Sequence, residues 1–154
     1  MIQRIQTIYL AVAAALSGIL LNGSIVKLIG DGGEEYRLRF SGIYQFQNDI
    51  PVVIEKSLPL AILLILSTLL FIISIFLFRR RKLQIRLTVL TTLLSLGSFL
   101  LLLFYTWYAV NELSADYIFN IKIIFPLAAS ILGYLAFRGV LKDELLIKSY
   151  DRIR

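Results

Sequence analysis

The chain has 154 residues, 58% of them hydrophobic and 17% charged, with a formal net charge of +6. A soluble domain carries about 25% charged residues, so this composition excludes an ordinary water-soluble protein. The absence of cysteine and histidine excludes thiol–disulfide chemistry, histidine-ligated haem and the usual zinc sites. No cofactor is expected, and with no catalytic motif the chain is read as a non-enzyme.

Four apolar runs organise the sequence: Ile8–Ile29, Leu58–Phe78, Leu87–Val110 and Ile123–Val140. Each is near the ~20 residues an α-helix needs to cross a hydrocarbon core of roughly 30 Å. The predicted fold is an all-α membrane protein. It is a four-transmembrane-helix bundle, one domain over residues 1–154, with a small β-hairpin or three-stranded sheet in the first outer loop and a helical cytoplasmic tail.

The first run follows Arg4 and is too long for the apolar core of a signal peptide, so it reads as an uncleaved anchor. It carries small residues four apart, Ala14 and Gly18 among them, and then Asn22. The fourth run carries Ala129 and Gly133 at the same spacing. Small residues let helix backbones approach closely in lipid, where no hydrophobic force drives helices together. The expected tight pair is therefore spans one and four, through Ala14, Gly18, Ala129 and Gly133.

The outer loop, residues 30–57, is the sizeable polar segment. Glu35-Tyr36-Arg37-Leu38-Arg39-Phe40 alternates polar and apolar, the period of a half-buried strand with Tyr36, Leu38 and Phe40 on one face. Tyr44 and Phe46 share a face of the next segment, and Pro51-Val52-Val53-Ile54 is a possible third strand with its proline at the start. These five aromatic and aliphatic residues form the expected outer-loop surface, either a cap on the bundle or a surface for a partner. Ser57 and Pro59 read as an N-cap and a first-turn proline opening span two.

Spans two and three are joined by Arg79, Arg80, Arg81, Lys82 and Arg86, with no acid among them. With that loop (79–86) in the cytoplasm, its side holds eleven Lys and Arg against three acids, and the other side five against seven. That is the positive-inside bias. It places the chain as a multi-pass membrane protein with both termini cytoplasmic. It also accounts for the net charge without nucleic acid as a partner. The expected contact is with anionic lipid headgroups.

Span three offers Gly97 and the hydroxyls of Thr88, Thr91, Thr92, Ser95 and Ser98, which can bond their own helix or a neighbour. Phe104, Tyr105, Trp107 and Tyr108 crowd its outer end as an aromatic belt. No Asp or Glu lies deep in any span, which argues against proton-coupled transport.

The opening Met1-Ile2-Gln3-Arg4-Ile5-Gln6-Thr7 and the closing Arg138–Leu145 with Asp151-Arg152-Ile153-Arg154 resemble an uncharacterised family of four-span inner-membrane proteins of the Bacteroidota. The resemblance implies location and topology but no chemistry. It also implies that Gln3, Arg4 and Gln6 neighbour the tail charges Lys142, Asp143, Glu144, Asp151 and Arg152. A polar network joining the two ends, or a shared docking site, would follow. The function expected is an accessory or scaffold subunit of a larger inner-membrane complex, with a membrane protein as partner. The alternative is a small channel, transporter or lipid-handling protein, its polar path lined by span three and Asn22.

Overall fold

The computed structural model describes residues 2–30, 32–47, 50–118 and 120–151, with the backbone alone at 2–4, 47 and 147–151. The described residues form four α-helices and five strands. Helix α1 is Ile2–Leu20, followed by strands β1 (Val26–Gly30), β2 (Glu35–Arg39), β3 (Gly42–Gln47) and β4 (Ile50–Lys56). Helix α2 (Leu58–Phe76) ends in a 3-10 turn, Leu77–Arg79, and α3 runs from Arg81 to Leu113. Strand β5 (Ala115–Ile118) and a second 3-10 turn, Ile121–Ile124, lead into α4, Phe125–Asp151.

The all-α expectation is wrong. The strands form one five-stranded antiparallel sheet in the order β4-β3-β2-β1-β5. Three of them lie in the loop where a small sheet was expected, and two do not. Strand β1 occupies the last residues assigned to span one. The helix stops at Leu20, and Gly23 turns the chain at a φ of 76°, a conformation cheap only for glycine. Beyond it Val26, Lys27, Leu28, Ile29 and Gly30 alternate buried and exposed. A short apolar run does not tell helix from strand by periodicity, so β1 was absorbed into the span. Asn22 consequently sits exposed in a turn rather than inside a helix, and cannot line a path through the bundle. Strand β5 was missed because it is four residues long and only its pairing with β1 defines it.

The sheet roofs the end of the bundle where α1 and α3 stop and α2 and α4 begin. Val26 lies opposite Leu38, Leu28 opposite Tyr36, and Leu38 opposite Ile43. Opposed residues share a face, and all five are buried against Leu20, Leu60, Leu64, Leu102 and Ala109 from the helix ends. Gly42 sits where a Cβ would strike the Glu55 carbonyl, beside a bulge in the β3–β4 ladder. Ser57 stands at the N-cap position, but its hydroxyl donates to the Phe40 carbonyl at 3.3 Å and makes no cap bond. It ties the sheet to α2 instead.

Three helical segments are long and apolar enough to cross a membrane: Leu58–Arg79, Arg81–Leu113 and Ile121–Leu146. The apolar part of α1, Ile5–Leu20, is shorter. The helices are greasier outside than inside. On α3 the buried residues are Gln84, Thr88, Thr91, Ser95, Ser98, Leu102, Thr106 and Ala109, spaced three or four apart along one face. The outward side carries Leu90, Leu93, Leu100, Phe104 and Trp107. The inward hydroxyls mostly bond their own helix: Thr91 to the Leu87 carbonyl, Thr92 to Thr88 and Ser98 to Leu94. Ser95 instead reaches α4, donating to the Pro126 carbonyl at 2.8 Å.

Candidate functional site at the basic end of the bundle

The end opposite the sheet brings together the first turns of α1, the last of α2, the start of α3 and the far end of α4. Gln6 is nearly buried there, and its Nε2 donates to Asp143 Oδ2 at 2.8 Å. The bond links residues 137 apart in sequence. Gly139 makes it possible: a Cβ at that position would lie 2.8 Å from Gln6 Cγ and 3.1 Å from its Nε2. The glycine is the seat for the glutamine side chain.

A second amide closes the opposite side, between α2 and α3. Gln84, also nearly buried, donates from Nε2 to the Ser74 carbonyl at 3.1 Å. The Ser74 hydroxyl turns to the Leu70 carbonyl of its own helix. Between these bonds lies a polar hollow lined by Gln6, Thr7, Phe78, Arg81, Gln84, Val140 and Asp143, of about 10 Å³. That is room for roughly one water molecule. A charged-to-neutral hydrogen bond in such a place contributes about 1.5–3 kcal/mol, so this clasp fixes the ends of α1 and α4 relative to each other.

The expected basic residues surround the clasp. Arg79, Arg80, Lys82 and Arg86 are exposed, and Arg81 is half-buried against the hollow. The loop expected at 79–86 is much shorter, because α3 begins at Arg81 and only the 3-10 turn and Arg80 intervene. Lys142 is exposed, and Asp143 and Glu144 are half-buried. The helical tail continues α4 to Asp151. The side chain of Arg4 and the whole of Arg152 lie outside the described residues. The network expected between the ends thus takes shape at Gln6 and Asp143. Gln84 and Gly139 were not singled out as partners. The available signal for Gln84 was its register, four residues before Thr88 on the polar stripe.

Helices α1 and α4 pack against each other, with Leu10, Ala13, Ala129 and Ala136 buried together against Phe71. Ala14 packs at the edge of that cluster. The two glycines expected in this contact face elsewhere. A Cβ on Gly18 would meet Thr68 of α2 at 3.9 Å, and one on Gly133 would lie 2.5 Å from Thr92 Oγ1 of α3 and 3.3 Å from Phe71. Small residues mark close approaches, but the spacing alone does not name the neighbour.

At the sheet end, Tyr36 and Leu38 point inward, and Phe40 packs at the edge of the core. Tyr44 and Phe46 are on the outer face, opposite Arg37 and Glu35 respectively. Arg37 lies over the Phe46 ring at 4.0 Å, and Arg39 over the Tyr44 ring at 5.2 Å. Arg37 Nε donates to Glu35 Oε1 at 2.8 Å. That bond holds the Glu35 carboxyl below its usual range. The Tyr36 hydroxyl donates to Glu34, which pushes the phenol up.

No curated protein matches the chain. The family profile described as Domain of unknown function (DUF4293) matches residues 2–153. That match runs from the first turn of α1 through the tail and takes in the clasp, both amides and the whole sheet, and the chain belongs to this family.

Proposed function

We propose that the chain is a non-enzymatic, multi-pass protein of a bacterial inner membrane, with both termini cytoplasmic, serving as an accessory or scaffold subunit of a larger assembly. The observation that carries this is the inverted polarity of the helices. Hydroxyls and amides face inward, while α2 turns Leu58, Ile62, Ile65, Leu66, Leu69, Ile72, Ile73 and Phe76 outward. Water would penalise such a surface, whereas lipid or a neighbouring helix does not. Helix α1 turns Ile5, Ile8, Val12 and Ile19 outward in the same way, which supports an even number of crossings. The basic turn supports a cytoplasmic location for the clasp end.

The scaffold reading rests on the outward face of α2, which presents no polar side chain to solvate. Two measurements test it. Because the chain has no cysteine, single cysteines at Gln45 and Lys82 report topology without background. An impermeant reagent applied to intact spheroplasts should label the first and spare the second. Extraction of native membrane in mild detergent should then recover a stoichiometric protein partner, lost on Leu66→Trp with Leu69→Trp. Recovery of the chain alone from every mild extraction overturns the scaffold role.

A further inference from the structure

Beside the clasp, on the lipid-facing side of α1 and α4, lies an open groove of about 490 Å³. Its apolar surface is Tyr9 of α1 with Leu135 and Leu145 of α4, and Gly139 lies between them. Two cations, Arg138 and Lys142, line the same groove one helical turn apart. The neighbouring carboxylate does not belong to it: Asp143 is bonded to Gln6 and faces the polar hollow on the other side of the clasp. The clasp thereby leaves two positive charges above an apolar floor. The crevice at the sheet end differs. It is about 350 Å³, lined by Val26, Leu103, Val110 and Ile123 among others, with no charged side chain.

We propose that the groove binds one anionic phospholipid, its phosphate between Arg138 and Lys142 and an acyl chain along Leu135 and Tyr9. This rests on the membrane reading above. Bare hydrocarbon would use the floor and ignore the cations; free phosphate would do the reverse. The distances fit. Leu135 and Lys142 are separated by roughly 10 Å along the helix at 1.5 Å per residue, so a lipid headgroup at Lys142 has its upper chain beside Leu135. Arg138 lies over the Tyr134 ring at 6.0 Å, one turn deeper along the helix; its long side chain can turn the other way through the apolar zone and carry its charge to the headgroup level beside Lys142. Basic pockets at helix junctions on the cytoplasmic side bind anionic headgroups by this arrangement.

The test is native mass spectrometry of the full chain in mild detergent, titrated with phosphatidylglycerol or phosphatidylcholine. One phosphatidylglycerol per chain should bind preferentially. Arg138→Gln with Lys142→Gln should weaken it by about tenfold to thirtyfold, the effect of two basic residues at a membrane surface, and leave phosphatidylcholine unchanged. Arg79→Gln with Arg80→Gln removes the same charge from the same end and should lose less than about threefold, and Arg138→Lys with Lys142→Arg should restore binding. Equal losses in the two glutamine pairs would reduce the attraction to diffuse charge and overturn the site. So would equal binding of the two lipids, or displacement of the lipid by millimolar inorganic phosphate. Carbonate washing of membranes separates this from the reading beneath it. A chain that resists the wash but shows no lipid preference loses the site alone, and a chain that washes off loses both.

Discussion

The two ends of the bundle are closed by different means. At one end five strands pair through their backbones, and the inner face of the sheet buries Val26, Leu28, Tyr36, Leu38 and Ile43 over the helix ends. At the other, two amide side chains and a glycine seat tie the helix ends in two pairs, α1 to α4 and α2 to α3. A backbone ladder needs only residues that tolerate an extended chain, and its stability is spread over many bonds. A side-chain clasp concentrates its stability in a few atoms, each of which must be the right element at the right height. The sheet end should therefore yield to single substitutions only where the inner face is emptied, and the clasp end at almost every contact.

Midway between the ends, two glycines test the assigned neighbours. Gly133→Leu would place carbon where Thr92 and Phe71 already stand, and should destabilise by about 1–3 kcal/mol or more by overpacking. Gly18→Leu, with only Thr68 at ordinary contact distance, should cost clearly less. Thermal melts of both in one detergent check the order, and equal losses would contradict the assigned neighbours.

At the sheet, Leu38→Ala empties a fully buried position and should lose about 2–5 kcal/mol. Phe46→Ala on the outer face should lose much less. If the outer substitution matches the inner one, the sheet is not held by its buried face.

The clasp should follow. Gln6→Leu leaves the Asp143 carboxylate without its amide, and Gln84→Leu leaves the Ser74 carbonyl without its donor; each should cost about 1–3 kcal/mol. Gly139→Ala, which crowds Gln6, should resemble Gln6→Leu, and the two together should lose less than the sum. An additive double variant would separate the glycine from the clasp.

The smallest effect concerns the outer face of the sheet. The hydrogen bond from Arg37 lowers the Glu35 carboxyl below its ordinary value of 4.5. A lowered carboxyl contributes stability that is present above the unfolded value and lost as pH falls through the folded one. Both side chains are partly exposed, at 26% and 39%, so screening leaves about 0.5 kcal/mol or less. Glu35→Gln should lower the melting temperature slightly at neutral pH, where the contribution is present, and change nothing well below 4.5, where it is already lost.

Much of the helical core was legible. Pro59 and the apolar run after it start α2, the arginines mark its end, and the hydroxyl spacing on α3 gives the buried stripe. The alternation from Glu35 to Arg39 gives β2. The clasp was half legible: the termini carry Gln6 and Asp143, but nothing local pairs them or marks Gly139 as the seat. Strands β1 and β5 were not legible. The Asn22-Gly23 break before β1 was present, but the apolar run continues across it.

What the amino-acid order determined by itself is therefore whatever depends on neighbours within one turn or one strand: the apolar runs of α2, α3 and α4, the start of α2, the strand β2 and the positive turn. Composition reached further in one respect, because so few charges leave little else for these faces to meet than lipid or another helix. The tertiary structure decided what depends on contact across the chain. It turned the end of an apolar run into β1 by offering β2 and β5 as partners, sent Gly18 and Gly133 to neighbours that spacing could not name, and brought Gln6 onto Asp143 across 137 residues. Strand pairing and side-chain clasps are satisfied only once distant segments meet, and a hydrogen-bond donor carries no local mark of the acceptor that will receive it.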